Sequence, residues 1–337
     1  MYVYYGGTHS VEIPEHNLGL DLVRVTESAA IAAARWQGRG DKVSVDQAAV
    51  DGMRLILGNI DIAGTIVIGE GEKDEAPMLH NGESVGTGNG PAMDVAVDPV
   101  DGTTLTSEGM PGAVAVIALS EKGTMYAPGS LVYMDKIAVG PAAAGSIDLE
   151  APVAHNLAQV AKALDKDVAD VTAIMLSRPR NTRFIDAARE AGARIRLIRD
   201  GDVAGAIATA QPESGIDILF GIGGSPEAVI AAGALTCMEG EMQCKLWPRD
   251  DKEREYASNQ GLDLDEVLTT GSLVNSDNVF FAATGITTGE LLDGVLFSGD
   301  KATTHSVVMR SKTGSIRSMR ATHDFTKLRR LSALMDG

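Results

Sequence analysis

In the run Ala96-Val97-Asp98-Pro99-Val100-Asp101-Gly102-Thr103-Thr104, two acids, a glycine and a threonine follow directly on an apolar, strand-like segment. Residues of these types suit a metal-dependent phosphatase site. Hydrolysis of a phosphate ester needs divalent cations that neutralise the phosphoryl oxygens and acidify a bound water, and hard cations of that kind take carboxylate oxygens as ligands. Asp98 and Asp101, three apart across a Pro-containing turn, can both aim at one metal cluster. The same string equally suits a plain surface turn, because Asp, Pro and Gly are the residues that turns use.

Several elements must position such a site. The spacing of apolar residues predicts a long opening helix over 18–36 that ends in Gly38-Arg39-Gly40. Ser44 followed three residues later by Gln47 is a capping-box pattern, which opens a helix over 45–57 and puts Asp46 in its first turn. A carboxylate there is stabilised by the exposed amides whether or not it has any chemistry to do. Segments 64–69 and 92–97 are short, β-branched and bounded by Gly or Pro, so both read as strands. Each leads into an acid, Glu70 and Asp98, and a shared sheet would hold the two side by side.

The second half alternates. Strand-like segments 171–177, 193–198 and 216–222 are followed by helices over 182–191, 203–210 and 226–238. A βαβαβα order implies a parallel sheet with right-handed crossovers. The strand-to-helix loops Arg178-Pro179-Arg180-Asn181, Arg199-Asp200-Gly201-Asp202 and Gly223-Gly224-Ser225-Pro226-Glu227 then share the carboxyl edge, where open α/β sheets bind ligands. Their chemistry fits a phosphosugar: guanidiniums for a phosphate, acids for hydroxyls or metal, and a Gly-Gly turn that admits a ligand to the amides of a helix start. Ser225 and Pro226 read as N-cap and N1, with Glu227 in the first turn, where helix-dipole complementarity would also place it. Further on, 278–284 reads as a strand and Lys312-Thr313-Gly314 as the tip of a hairpin. The expected class is α/β, with stacked sheets and helices, and the change of pattern suggests halves at 1–150 and 151–337.

Composition narrows the function. With 337 residues, 44% of them hydrophobic, the chain can bury a substantial core. A formal net charge of -17 argues against nucleic acid as a partner, since such binding rests on Lys and Arg neutralising phosphates. No apolar run is long enough for a membrane span, and Met1 to Gly7 has neither a basic n-region nor an apolar h-region, so cytoplasm is the expected compartment. Cys237 and Cys244 form neither a disulfide framework nor a zinc spacing and read as reduced core thiols. One basic stretch stands out, Arg310 to Arg330, and reads as a solvated hairpin face followed by a basic helix.

Taken together, DPVDGTT, the upstream Gly-Glu after a strand and the downstream Gly-Gly-Ser-Pro-Glu-Ala-Val resemble the lithium-sensitive, metal-dependent sugar and inositol phosphatase superfamily. Within it the chain is similar to the class II fructose-1,6-bisphosphatases. The resemblance runs nearly end to end, through RVTESAA from Arg24, GRGDK from Gly38, TIVIGEGEKDEAPML from Thr65, SRPRN, DGDVAGAI, GIGGSPE, ATGIT from Ala283 and TTHSVVMRSK from Thr303. It implies a layered α/β/α/β/α sugar-phosphatase fold, Mn²⁺ or Mg²⁺ as cofactor, sensitivity to lithium, a homo-oligomer (dimer or tetramer), and hydrolysis of the 1-phosphate of fructose 1,6-bisphosphate in gluconeogenesis. Asp46 and Glu70 match ligands of one cation, and Asp98, Asp101 and Glu227 match ligands of a second. Thr103 matches the catalytic threonine. Asp101, Gly102, Thr103, Tyr133, Arg178, Pro179, Arg180, Asp200, Gly201, Asp202 and Gly224 match substrate-contacting positions, the arginine pair holding the non-reacting 6-phosphate. Glu72, Asp74 and Glu75 crowd Glu70, and the choice among them rests on the resemblance. Two positions depart from the family's pattern: Gly112 stands where relatives often have an Asn, and Asn181 where many have a His. Alternative substrates are sedoheptulose 1,7-bisphosphate or an inositol monophosphate. A catalytically silent phosphosugar sensor would need a lost ligand, and none is lost.

Overall fold

The computed structural model describes residues 18–70 and 79–331, the side chains of 329–331 excepted. Met1 to Gly7, and Glu72, Asp74 and Glu75 beside Glu70, lie outside the described residues. The strands are β1 (Ala63–Ile68), β2 (Ser84–Val85), β3 (Ala92–Asp101), β4 (Val114–Glu121), β5 (Tyr133–Val139), β6 (Thr172–Leu176) and β7 (Arg194–Ile198). They continue with β8 (Ile218–Gly224), β9 (Glu241–Leu246), β10 (Leu268–Thr269), β11 (Phe280–Gly285), β12 (Leu296–Ser298), β13 (Lys301–Arg310) and β14 (Ser315–Asp324). The helices are α1 (Gly19–Ala34), α2 (Lys42–Leu57), α3 (Thr103–Glu108), α4 (Val153–Ala163) and α5 (Thr182–Glu190). After them come α6 (Asp202–Thr209), α7 (Ser225–Cys237), α8 (Asp251–Gln260), α9 (Thr270–Leu273) and α10 (Phe325–Leu331).

Two mixed sheets result. The larger runs β12-β13-β11-β4-β3-β1-β2 with β14 on the far side of β13, and the smaller runs β10-β9-β5-β8-β6-β7. Alternation along the central strands shows why they stack in layers. In β4, Ala115, Ile117 and Leu119 join the core under α1 and α2, while Val114, Val116 and Ala118 face the opposite core, which α6 and α7 fill between the two sheets. In β8, Leu219 meets that middle core and Ile218 and Phe220 meet a third, under α4 and α5. The order is therefore α/β/α/β/α, as the resemblance implied.

The βαβαβα segment supplies the parallel strands β6, β7 and β8, but only half of its sheet: β5, β9 and β10 pair antiparallel. Nor do the sheets follow a division near residue 150. The chain passes into the smaller sheet at β5 and returns to the larger at β11. Arg310 departs from the solvated face expected of it, being 5% exposed, with its guanidinium 4.6 Å above the Phe280 ring and a 2.9 Å hydrogen bond to Asn278. Cys237 and Cys244 are free and buried as expected, and burial pushes both thiols up to about 12. Among the described residues no helix is long and apolar enough to cross a membrane.

Candidate active site

The Asp98 to Asp101 stretch is not a turn. β3 continues through it, paired with β4, and shifts register between Asp98 and Asp101. Such a bulge is where a strand tolerates proline, and it re-aims the neighbouring side chains. Asp98 turns back to accept a 2.9 Å hydrogen bond from the Val100 amide, and Asp101, 3% exposed, accepts one of 3.2 Å from the Ala204 amide at the start of α6. Gly102 follows in the left-handed region (φ 106°), and Thr103 is the first residue of α3. β1 runs parallel to β3 with Ile68 opposite Ala96, so the chain leaving β1 carries Glu70 beside Asp98.

Helix α2 starts a turn earlier than the Ser44 pattern predicts. Asp41 is its N-cap, accepting from the Ser44 amide at 3.1 Å and the Ser44 hydroxyl at 2.6 Å, while Gln47 donates to Asp51. A carboxylate three residues upstream is the stronger acceptor and outcompetes the hydroxyl for the cap. Asp46 is thereby moved beyond the first turn, and helix-end stabilisation no longer accounts for it. What it does instead is accept a 2.7 Å hydrogen bond from Thr103 Oγ1. Helix α7 likewise begins one residue early, with Gly224 as N-cap and the Ser225 hydroxyl donating to the Leu131 carbonyl. Glu227 stays in the first turn.

These acids share one electrostatic neighbourhood. Burial, then the charges of Asp46 and Glu227, push Glu70 up to about 7, and burial, then Asp202, does the same to Glu227. Asp98 and Asp101 are held well above the usual carboxylate range by burial, with Asp101 the next cause for Asp98 and Asp202 for Asp101. Asp46 is raised by burial against the lowering effect of the Thr103 hydrogen bond. Among the described residues no three acidic, His or Cys side chains close into a coordination cage, so the cluster is a set of coupled carboxylates. Its chemistry nonetheless fits a hard divalent cation. The donors are all oxygen, and Glu227 Oε2 is buried with no hydrogen-bond partner. A Cβ on Gly224 would lie 1.8 Å from that oxygen, so glycine alone leaves the carboxylate its place.

On the other side of the cluster the loops of the smaller sheet supply cations. Arg178 Nη2 lies 3.9 Å from Asp200 Oδ1. Arg180 donates from Nε to the Ile222 carbonyl at 2.9 Å and sets its guanidinium 4.3 Å from the Tyr133 ring centroid. Asn181 is fully buried, donating to the Leu176 and Ile222 carbonyls and accepting from the Ile222 amide. Asn181 therefore laces the end of β6 to β8. Gly112 has φ 102° and packs against Gly289, where a Cβ would meet its Cα at 2.7 Å. Pro179 is exposed between the two arginines.

Two residues escaped the sequence reading. Lys136, 3% exposed, donates from Nζ to Asp202 Oδ2 at 2.6 Å, and the signal was a lone lysine inside the apolar strand β5. Arg249 lies 5.8 Å from the Tyr133 centroid, on the face of a ring that also meets Trp247 edge-on at 6.2 Å. Nothing in its local sequence marks it.

Fold and site together define a layered α/β protein whose carboxylate cluster meets the guanidinium pair through Asp200, which lies 3.9 Å from Arg178 and whose charge acts on Asp46, Asp101 and Glu227. Residues 16–323 match the family model described as bacterial fructose-1,6-bisphosphatase, glpX-encoded. The chain belongs to that family. Relatives include the class 2 fructose-1,6-bisphosphatases of Escherichia coli K12 and Shigella flexneri, each 45% identical over 320 residues that cover 91% of this chain and 95% of theirs. Among solved structures, the IMPase of Thermotoga maritima covers 56% of this chain and 70% of its own at 12% identity and a TM-score of 0.28, an overlap that carries nothing about the site.

Proposed function

We propose that this site hydrolyses the 1-phosphate of D-fructose 1,6-bisphosphate, releasing fructose 6-phosphate and inorganic phosphate. Membership of the family carries fructose-1,6-bisphosphatase activity, that of a phosphoric monoester hydrolase in gluconeogenesis. The division of labour in the site is our reading. Asp46 and Glu70 would hold one divalent cation, and Asp98, Asp101 and Glu227 a second, Mn²⁺ or Mg²⁺ by their oxygen donors. Bound there, the ions would neutralise the phosphoryl oxygens and acidify water.

The chain's own groups do the positioning. Thr103 Oγ1 spends its hydrogen on Asp46 at 2.7 Å, which fixes the hydroxyl and leaves its lone pairs to accept a hydrogen bond from the attacking water. The Thr103 backbone N–H, at the first turn of α3, is one of the donors without a partner inside that helix and suits a phosphoryl oxygen. Arg178 and Arg180 take the 6-phosphate, Tyr133 holds the Arg180 plane by stacking, and Asp200, Gly201 and Asp202 receive the sugar hydroxyls. A working dimer or tetramer in the cytoplasm completes the proposal, on the resemblance alone.

The observation that carries this reading is the Thr103–Asp46 hydrogen bond set against a ring of buried, mutually repelling carboxylates. Its test is phosphate release by EDTA-stripped protein with Mn²⁺ or Mg²⁺ restored. The panel is fructose 1,6-bisphosphate, sedoheptulose 1,7-bisphosphate, inositol 1-phosphate and fructose 6-phosphate, with Thr103→Ala as control. Metal-dependent release from the first, lost in the control, is the expected result. Release from another ester alone would move the substrate and keep the mechanism, and silence on all four would overturn it.

A further inference from the structure

Lys136 sits in β5 opposite Gly221 of β8, and its ammonium is 2.6 Å from Asp202 Oδ2. Both partners are buried, the side chains 3% and 9% exposed. The pair lies across β8 where only glycine leaves room: a Cβ on Gly223 would stand 2.0 Å from Asp202 Oδ2 and 2.9 Å from Lys136 Nζ. Asp202 opens α6 directly after Gly201 (φ 84°), and two residues on, the Ala204 amide donates to Asp101. Lys136 is thereby linked through Asp202 and the first turn of α6 to Asp101 in β3, which bridges the two sheets. The charged groups facing its ammonium are Asp202 and Glu227.

Other cations near the cluster are placed differently. Lys42, which faces Asp46, is exposed and bonded to the Thr104 hydroxyl at 2.8 Å. Arg310, the other buried cation among the described residues, belongs to the larger sheet and is bonded to Asn278. Among the described residues Lys136 is therefore the one buried positive charge set directly against the carboxylates. A buried charge pair is costly to keep for stability alone, because desolvation offsets much of the attraction. A pair held against a strand position, Gly223, where a Cβ would collide with it points to a use.

We propose that Lys136 is a positioning residue of the hydrolase site, holding Asp202 and the Asp200–Asp202 loop in place for the sugar and lowering the cluster's demand for cations by one fixed charge. This rests on the phosphatase reading above. In a poorly solvated site, removing one positive charge leaves the cluster more attractive to Mn²⁺, while loss of the anchor loosens the sugar side. The two consequences have opposite signs, and a merely structural lysine would produce neither.

The test measures Mn²⁺ binding alone by calorimetry, without substrate, and KM and kcat for fructose 1,6-bisphosphate, on K136M, K136R, D202N and the double variant K136M/D202N. Expected for K136M are Mn²⁺ binding several-fold tighter, KM raised roughly tenfold and kcat changed much less, the pattern of lost uniform binding. K136R, which keeps the charge, holds Mn²⁺ affinity at the unsubstituted value. In the double variant the KM increase equals that of D202N alone, because the two side chains act as one unit. Should K136M not fold, the double variant, which leaves no uncompensated partner, is compared with D202N in its place. Unchanged KM, weakened Mn²⁺ binding, or multiplied effects in the double variant would each overturn the assignment. Should the unsubstituted protein turn over no sugar phosphate, the phosphatase reading falls, and the Mn²⁺ isotherms still decide whether Lys136 offsets the cluster.

Discussion

The two ends of the site are built on opposite principles. At the carboxylate end, Glu70, Asp98, Asp101 and Glu227 repel one another, and Glu227 Oε2 is buried without a partner. At the guanidinium end, Arg180 has both a carbonyl and an aromatic face, and Arg178 has a carboxylate nearby. On the proposed reading the first end is incomplete as protein and would be completed by a cation, while the second is complete as protein and would only have to receive an anion. The proposed function puts the chemistry at the unbalanced end, since clusters of desolvated, mutually perturbed titratable groups are typical of active sites.

If that contrast is right, perturbing the carboxylate end changes rate and metal binding, and perturbing the other end changes affinity. Thr103→Ala should show the largest effect, a fall in kcat of about 10²–10⁴-fold with KM little changed, as for loss of a group that guides proton transfer. Undiminished turnover would remove Thr103 from the mechanism. Arg180→Ala should raise KM for the bisphosphate about tenfold or more and leave kcat within a few-fold, since hydrogen bonds between charged groups contribute about 1.5–3 kcal/mol each. A kcat loss as large as that of Thr103→Ala would erase the distinction between the ends.

Glu227→Gln should shift the Mn²⁺ titration to higher concentration, and an unchanged titration would contradict its place at the carboxylate end. The smallest effect concerns stability. Glu70 and Glu227 titrate near 7 in the folded chain against an ordinary 4.5, so folding favours their protonated forms. Their contribution is full below about pH 4.5 and is lost as pH rises towards 7. The melting temperature of EDTA-stripped protein should therefore fall between about pH 4.5 and 7, and Mn²⁺ or Mg²⁺ should cancel the fall. Parallel curves with and without metal would refute the imbalance.

Much of this was legible beforehand where the signal is local. The strands that lead to Glu70 and Asp98, the helices after β6, β7 and β8, and the loops with Arg178, Asp200 and Gly224 fall within a few residues of their predicted bounds. Local competition was harder to read: Asp41 displaces Ser44 as the cap of α2, and Asp98-Pro99-Val100-Asp101 is a bulged strand although its composition is that of a turn. In both cases the deciding partner, a stronger acceptor or the neighbouring strand β4, lies outside the motif itself.

Residue types and spacing alone determined the strands that lead to Glu70 and Asp98 and the three strand-to-helix loops that share the carboxyl edge of one sheet, because hydrophobic period and glycine placement are properties of short segments, while the site roles rested on the resemblance. Only the tertiary structure decided which groups meet. Thr103 reaches Asp46 across 57 residues and Lys136 reaches Asp202 across 66. Those pairings exist because α2 packs against α3 and α6 packs against β5 and β8, and the charge of each carboxylate there is set by burial and by its neighbours, neither of which a segment can state for itself.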